Sequence, residues 1–212
     1  PFYNGLAANK GVSWWSHDVG GYKDGIEDSE LYARYVQFSA FSPIFRFSAK
    51  RGIYYKREPW AWDVKTFNIA REYCWLRQRL IPYLYTAAYE YSKTGRPLVQ
   101  PIYYTYPEIY DELDYRNEYY FGKELFVAPI TKPKEPIERI FLPKGTWYDF
   151  KTGKKFVGNK RYVVFYKEEE YPVFAKAGGI IPLANLDKNI NDTTPSESME
   201  IHVFPGESNI FK

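Results

Sequence analysis

Cysteine occurs once in these 212 residues, as Cys74, and histidine twice, as His17 and His202. One cysteine excludes an internal disulfide and favours a reducing compartment, so the expected location is cytoplasmic. Two distant histidines and one cysteine do not supply a metal-ligand cluster, and no metal or other cofactor is expected. No G-x-S-x-G elbow accompanies the histidines. His17 and Asp18 are neighbours in sequence, which does not by itself give the geometry of a nucleophilic triad. P-loop and G-x-G-x-x-G patterns are missing as well. No run approaches the roughly 20 apolar residues of a membrane helix, so no membrane partner is expected. Charge of one sign is also scarce: 29 basic against 26 acidic side chains leave a net +3, scattered rather than striped. That argues against a nucleic-acid partner. No signal peptide pattern is visible, and Pro1 is not a natural start, so further residues are expected upstream.

Aromatic residues are abundant instead. Tyrosine (22), phenylalanine (15) and tryptophan (6) make up 20% of the chain. Aromatic faces stack on the C–H faces of sugars; a tyrosine-rich core and surface accounts for the same total. The spacing predicts a short buried strand over residues 11–15, a Gly- and Asp-rich loop over 17–25, and a helix capped by Asp28 or Ser29 that runs to Phe41. Leu31, Tyr35, Phe38 and Phe41 supply its apolar positions. A second strand is expected over 43–47. The longest periodic segment runs from Thr66, as N-cap, to Thr94, with Gly95 ending it and Pro82 kinking it. Strand, helix, strand, helix reads as α/β with parallel strands. After Gly95, short Val/Ile/Tyr/Phe runs alternate with Pro, Gly and Lys, the texture of an antiparallel sandwich. Residues 184–198 read as a polar linker, and "MEIHVFPGESNIFK" begins another strand-like segment.

The chemistry rests on carboxylates. Asp18 follows the first expected strand, the end at which parallel α/β barrels build their sites. It could grip a sugar hydroxyl or work as acid, base or nucleophile; it could equally cap the turn before Gly20 and Gly21. Arg46 stands at the same end of the second strand and could pair with a pocket carboxylate or form a structural ion pair. "REPW", residues 57–60, reads as structural.

The segments "WWSHDVGGY", "LYARYVQFSAFSPIFR", "YYKREPW", "LRQRLIPYLYTAAYEYSKTGRPLVQPIYY", "YYFGKELFVAPI", "FLPKGTWYDF" and "YPVFAKAGGIIPL" follow one another in the order seen in glycoside hydrolase family 31. The resemblance spans nearly the whole chain, and seven motifs in order make it specific. That family contains α-glucosidases, α-xylosidases and α-transglycosylases. The resemblance implies the last strands and helices of a (β/α)8 barrel followed by an antiparallel β-sandwich, that is, α/β plus all-β. Residues 1–95 would be the C-terminal portion of the barrel, 96–183 the proximal sandwich, and 184–212 a linker and the truncated start of a distal β-domain.

The resemblance also implies a retaining mechanism with two aspartates, one forming a glycosyl-enzyme ester and the other acting as acid and base. Both precede the "HDVGG" motif in the family, so no catalytic residue is expected in this chain, and by itself it is expected to be inactive. By resemblance Asp18 lines the sugar pocket and Tyr22 takes the place of an aromatic wall. Arg46 matches an Arg-x-His pattern whose histidine contacts the sugar, and Ser48 stands where that histidine belongs. Losing such a contact is worth about 1–3 kcal/mol in transition-state binding. The expected partners are an α-linked oligosaccharide and the missing N-terminal part of the same barrel, because two barrel strands alone leave open edges. The rival readings are a non-catalytic carbohydrate-binding or structural module and a decayed copy.

Overall fold

The computed structural model describes residues 2–23, 27–51, 57–134, 136–186 and 195–211. Parts of the expected loop at 17–25 and of the linker at 184–198 lie outside the described residues. The chain opens with helix α1 (Phe2–Asn9), followed by extended chain and then helix α2 (Ser29–Ala40). Asp28 caps α2, accepting from the Leu31 N–H at 2.8 Å. That bond satisfies one of the amide donors a helix start leaves unpaired.

The expected strands become a minimal parallel pair. Ser16 bridges Ile44 and Val19 bridges Phe47, both in parallel sense. Pairing therefore begins one residue beyond the expected 11–15 strand, and among the described residues no further strand joins the pair. The buried side of α2 also differs from the expected stripe. Tyr32, Ala33, Val36 and Phe38 are buried, whereas Leu31 is 59% exposed. Both Leu31–Tyr35–Phe38 and Tyr32–Val36–Ser39 satisfy helical spacing. The core lies under the second.

Helix α3 (Val64–Arg79) and helix α4 (Ile81–Thr94) replace the single helix expected from Thr66. Asp63, not Thr66, is the N-cap, accepting from the Lys65 and Thr66 N–H groups. The break falls at Leu80, whose N–H still closes the last turn of α3 on the Leu76 carbonyl at 2.9 Å, while Pro82 has no N–H to give the Gln78 carbonyl. Leu80 and Leu84 are buried. Gly95, at φ 70°, closes α4 with its N–H on the Tyr91 carbonyl at 2.8 Å.

Among the described residues ten strands follow: β1 (Val99–Pro101), β2 (Tyr119–Phe121), β3 (Leu125–Val127), β4 (Ile137–Leu142), β5 (Thr146–Asp149), β6 (Lys155–Val157), β7 (Lys160–Phe165), β8 (Val173–Lys176), β9 (Ile180–Ala184) and β10 (Met199–Val203). All their pairings are antiparallel. Six form one sheet in the order β1-β2-β3-β8-β5-β6, while β4 pairs with β7 and β9 with β10. β3 is buried along its whole length, so it reads as an unbroken apolar run rather than an alternation.

One core joins helices and sheet. Phe41, at the end of α2, meets Phe121 of β2 edge-to-face at 5.8 Å. The Tyr119 hydroxyl donates to the Phe41 carbonyl (2.9 Å), and the Leu98 N–H donates to Ser13 Oγ (2.9 Å). From α2, Arg34 reaches the Glu170 carbonyl (2.7 Å) and Gln37 the Glu168 carbonyl (2.7 Å). No helix among the described residues is long and apolar enough to cross a membrane.

Candidate functional site

Extended backbone alternates its side chains between two faces. In 15–19 the odd residues turn toward α2. His17 stacks on Tyr35 (5.1 Å) and Phe38 (5.4 Å), and Val19 is fully buried. The even positions, Ser16 and Asp18, take the opposite face. In the partner segment Phe47 stacks on Tyr32 of α2, which leaves Ile44 and Arg46 on the same open face as Asp18. Arg46 Nη2 donates to Asp18 Oδ1 at 2.7 Å. The two side chains are 54% and 28% exposed, so the pair adds only about 0.2–1 kcal/mol of stability. Its effect is orientation: it fixes a carboxylate at the carboxyl end of the parallel pair.

The loop bearing Asp18 is held from behind. The Asp18 carbonyl accepts from the Gly21 N–H at 2.8 Å, closing a turn in which Gly20 and Gly21 both have positive φ (84° and 88°). Arg57 Nε donates to the Gly21 carbonyl at 2.7 Å. A Cβ on Gly20 would lie 2.5 Å from Arg57 Cδ. Position 20 therefore needs glycine for its space as well as its φ. The structural reading of "REPW" carries this much function: its arginine positions the Asp18 turn. Tyr22 is 50% exposed, and its carbonyl accepts from the Lys50 N–H at 2.9 Å, tying the two loops together. Ser48 is half-buried, two residues past Arg46. The structure thus brings Asp18 and Arg46 into direct contact and places Tyr22 and Ser48 on the two loops that flank them.

Residue spacing gave no sign of Arg77. Its buried guanidinium donates to the carbonyls of Ala40 (3.1 Å), Ser42 (2.6 Å) and Pro43 (2.6 Å), the turn that launches the Arg46 segment. Burial lowers its pKa to about 10, which leaves it charged at neutral pH. The only available signal was a basic residue in the last turn of a long helix.

His17 is no nucleophile's base. Burial pulls its pKa down to about 4, so the ring is neutral at pH 7. Its Nε2 lies 3.1 Å from Ser42 Oγ, but Ser42 is fully buried and donates to the Phe38 carbonyl. On that pattern Nε2 carries the proton. Nδ1 is buried without a partner among the described residues, so no carboxylate orients the ring. A cleft of about 540 Å³ lies on this face of α2, lined by Trp15, His17, Leu31, Tyr35, Phe38 and Ile130 among others. Its lining is mostly apolar and excludes Asp18 and Arg46; it is a packing face rather than a polar site. Burial also raises the Cys74 pKa to about 11, so its thiol stays protonated and unreactive. No cluster of three potential metal ligands occurs among the described residues.

Two family models match consecutive parts of the chain. The glycosyl hydrolases family 31 TIM-barrel domain matches residues 3–87, and the glycosyl hydrolase family 31 C-terminal domain matches residues 95–181. The alpha-xylosidase of Saccharolobus solfataricus is 29% identical over 95% of this chain and 28% of its own length. Alpha-glucosidase 2 of Bacillus thermoamyloliquefaciens is 31% identical over 92% of this chain and 24% of its own. Among solved structures, a Flavobacterium johnsoniae dextranase complexed with isomaltotriose superposes with a TM-score of 0.85 at 31% identity, over 96% of this chain and 25% of that one. The cycloalternan-forming enzyme of Listeria monocytogenes, in complex with a pentasaccharide substrate, gives 0.84 at 29% identity, over 95% and 20%. The chain belongs to glycoside hydrolase family 31. It spans about a quarter of the length of the relatives it matches.

Proposed function

We propose that the chain is the C-terminal part of a retaining α-glycosidase that hydrolyses terminal α-linked glucose or xylose from oligosaccharides. Residues 1–95 would complete a (β/α)8 barrel and 96–183 form its β-sandwich. Residues 184–212 would lead into a further β-domain, with β10 still paired to β9. Nucleophile and acid/base would come from the N-terminal part of the same barrel, so the chain alone would bind or shape substrate without cleaving it. The one cysteine favours a cytoplasmic setting.

The observation that carries this reading is the Asp18–Arg46 pair at the carboxyl end of a parallel pair, on the face away from α2. There Arg46 engages one carboxylate oxygen and leaves the other to accept a sugar hydroxyl. Tyr22 offers an exposed ring edge or face, and Ser48 a short hydroxyl in place of the family histidine. The Ser48 position also favours a second reading, a non-catalytic sugar-binding copy.

The test is release of p-nitrophenol from the α-glucoside and the α-xyloside by this chain and by a polypeptide extended upstream through the barrel. Turnover by the extended form alone supports the reading, and the preferred sugar names the substrate. Folded but inactive forms of both would replace it with the sugar-binding copy. In the extended form Asp18→Asn should lower kcat/KM by about 10–100-fold, the loss of one charged hydrogen bond. Its folding stability should change by under about 1 kcal/mol, as expected of an exposed pair.

A further inference from the structure

A second polar cavity, of about 70 Å³, opens between α1 and the segment 101–119. It lies away from Asp18. Its lining contains neither Asp18 nor Arg46, and Tyr119 in its wall bonds the Phe41 carbonyl at the end of α2. Two polar side chains with unused hydrogen-bonding capacity line it. Asn4 is 2% exposed and faces the Tyr119 hydroxyl; beyond that contact its amide has no hydrogen-bond partner among the described residues. Glu118 is also 2% exposed; one oxygen accepts from the Phe141 N–H at 3.0 Å and the other has no such partner. Stranding such groups away from water is unfavourable, so a polar occupant is called for.

The remaining lining says which kind. Burial raises the Glu118 carboxyl well above its ordinary range, which favours the neutral acid, able to donate as well as accept. A neutral acid beside an amide suits hydroxyl groups, which both give and accept. A cation would find no charge on Glu118 and would meet Arg116 at the wall; an anion would find only that exposed arginine. At the rim, Tyr110 is 56% exposed and stands edge-to-face on Tyr103 at 5.2 Å, a rigid aromatic platform. The enclosed space equals two or three waters, enough for hydroxyl or hydroxymethyl arms but not a whole sugar ring.

We propose that this cavity is a second carbohydrate-binding site, separate from Asp18, in which one sugar residue lies on Tyr110 and sends its hydroxyl arms in to Asn4 and Glu118. Saturation-transfer NMR of the chain with maltotriose tests it, in an Asp18→Asn background that disables the first site. Transfer should persist in that background and fall at least tenfold on adding Tyr110→Ala, an exposed substitution that leaves the fold intact. Glu118→Gln, which keeps a neutral donor in the same shape, should retain binding. No transfer in the Asp18→Asn chain, transfer indifferent to Tyr110→Ala, or loss of binding in Glu118→Gln would each overturn the proposal. None of these results bears on Asp18, whose role is judged by hydrolysis in the extended polypeptide.

Discussion

Arg57 holds the Asp18 turn through its Nε and also occupies the space that a side chain at position 20 would need. Gly21 shares the left-handed backbone but has nothing within 4 Å of its missing Cβ. The two glycines therefore separate strain from contact. Gly21→Ala should destabilise by about 1–2 kcal/mol, the left-handed penalty alone. Gly20→Ala should lose about 2–4 kcal/mol, because Arg57 must also move. Urea denaturation measures both, and in the Arg57→Ala background the excess at position 20 should vanish. Titrating groups act at the same scale, with opposite signs. His17 has a folded pKa of about 4 against 6.5 unfolded, so its contribution is present above pH 6.5 and is lost as pH falls toward 4. That loss is on the order of 2–3 kcal/mol and should disappear in His17→Gln. Burial raises the Glu118 pKa in the fold, so its contribution is present below about pH 4.5 and is lost as pH rises through its folded pKa. Glu118→Gln should therefore make the chain relatively more stable at pH 8 than at pH 5, compared with the unsubstituted protein. Unfolding midpoints across that range check both signs.

Among the elements, the turn from α2 into the Arg46 segment depends on a residue of another helix. Arg77 of α3 satisfies three carbonyls there, at 3.1, 2.6 and 2.6 Å. Arg77→Met should destabilise by about 2–4 kcal/mol, and Arg77→Lys should recover little, since one ammonium cannot reproduce a planar fork across three acceptors. Denaturation midpoints of the two variants decide it. This contact shows where sequence reading stops. Features written in neighbouring residues were legible: the Asp28 cap, the Gly95 stop, the interruption by Pro82, and the strand runs after residue 95. The shared face of Asp18 and Arg46 is also local logic, a period of two applied to each of two segments. Arg77 with the 40–43 carbonyls, Arg57 with Gly21, and Arg34 with Glu170 join residues 34 to 136 positions apart, and no spacing rule connects them. Leu31 shows a subtler limit. Periodicity identifies an apolar stripe but not which of two overlapping stripes meets the core; on α2 the Tyr32–Val36 side does, and Leu31 faces the open cleft.

Taken as a whole, the molecule is supported unevenly. The six-stranded sheet has central strands β3 and β8 paired on both sides, with Phe126 and Phe174 fully buried. The parallel pair near the candidate site has only two bridges and packs on α2 along one face. Beside it lies the apolar cleft of about 540 Å³, lined by Trp15, Leu31 and Tyr35 among others. Backbone bonds with few buried neighbours open locally, below the free energy of global unfolding. In the chain alone, the Val19 and Ile44 amides, bonded at 3.0 and 3.2 Å to Arg46 and Trp15 carbonyls, should exchange at least about 100-fold faster than those of β3 and β8. Extension through the upstream barrel should close most of that gap, since each strand would gain a second neighbour. Equal protection of the two regions in the chain alone would mean that α2 suffices to fix the parallel pair. The Asp18–Arg46 geometry would then be preformed without the rest of the barrel, and the chain by itself should bind sugar at that site.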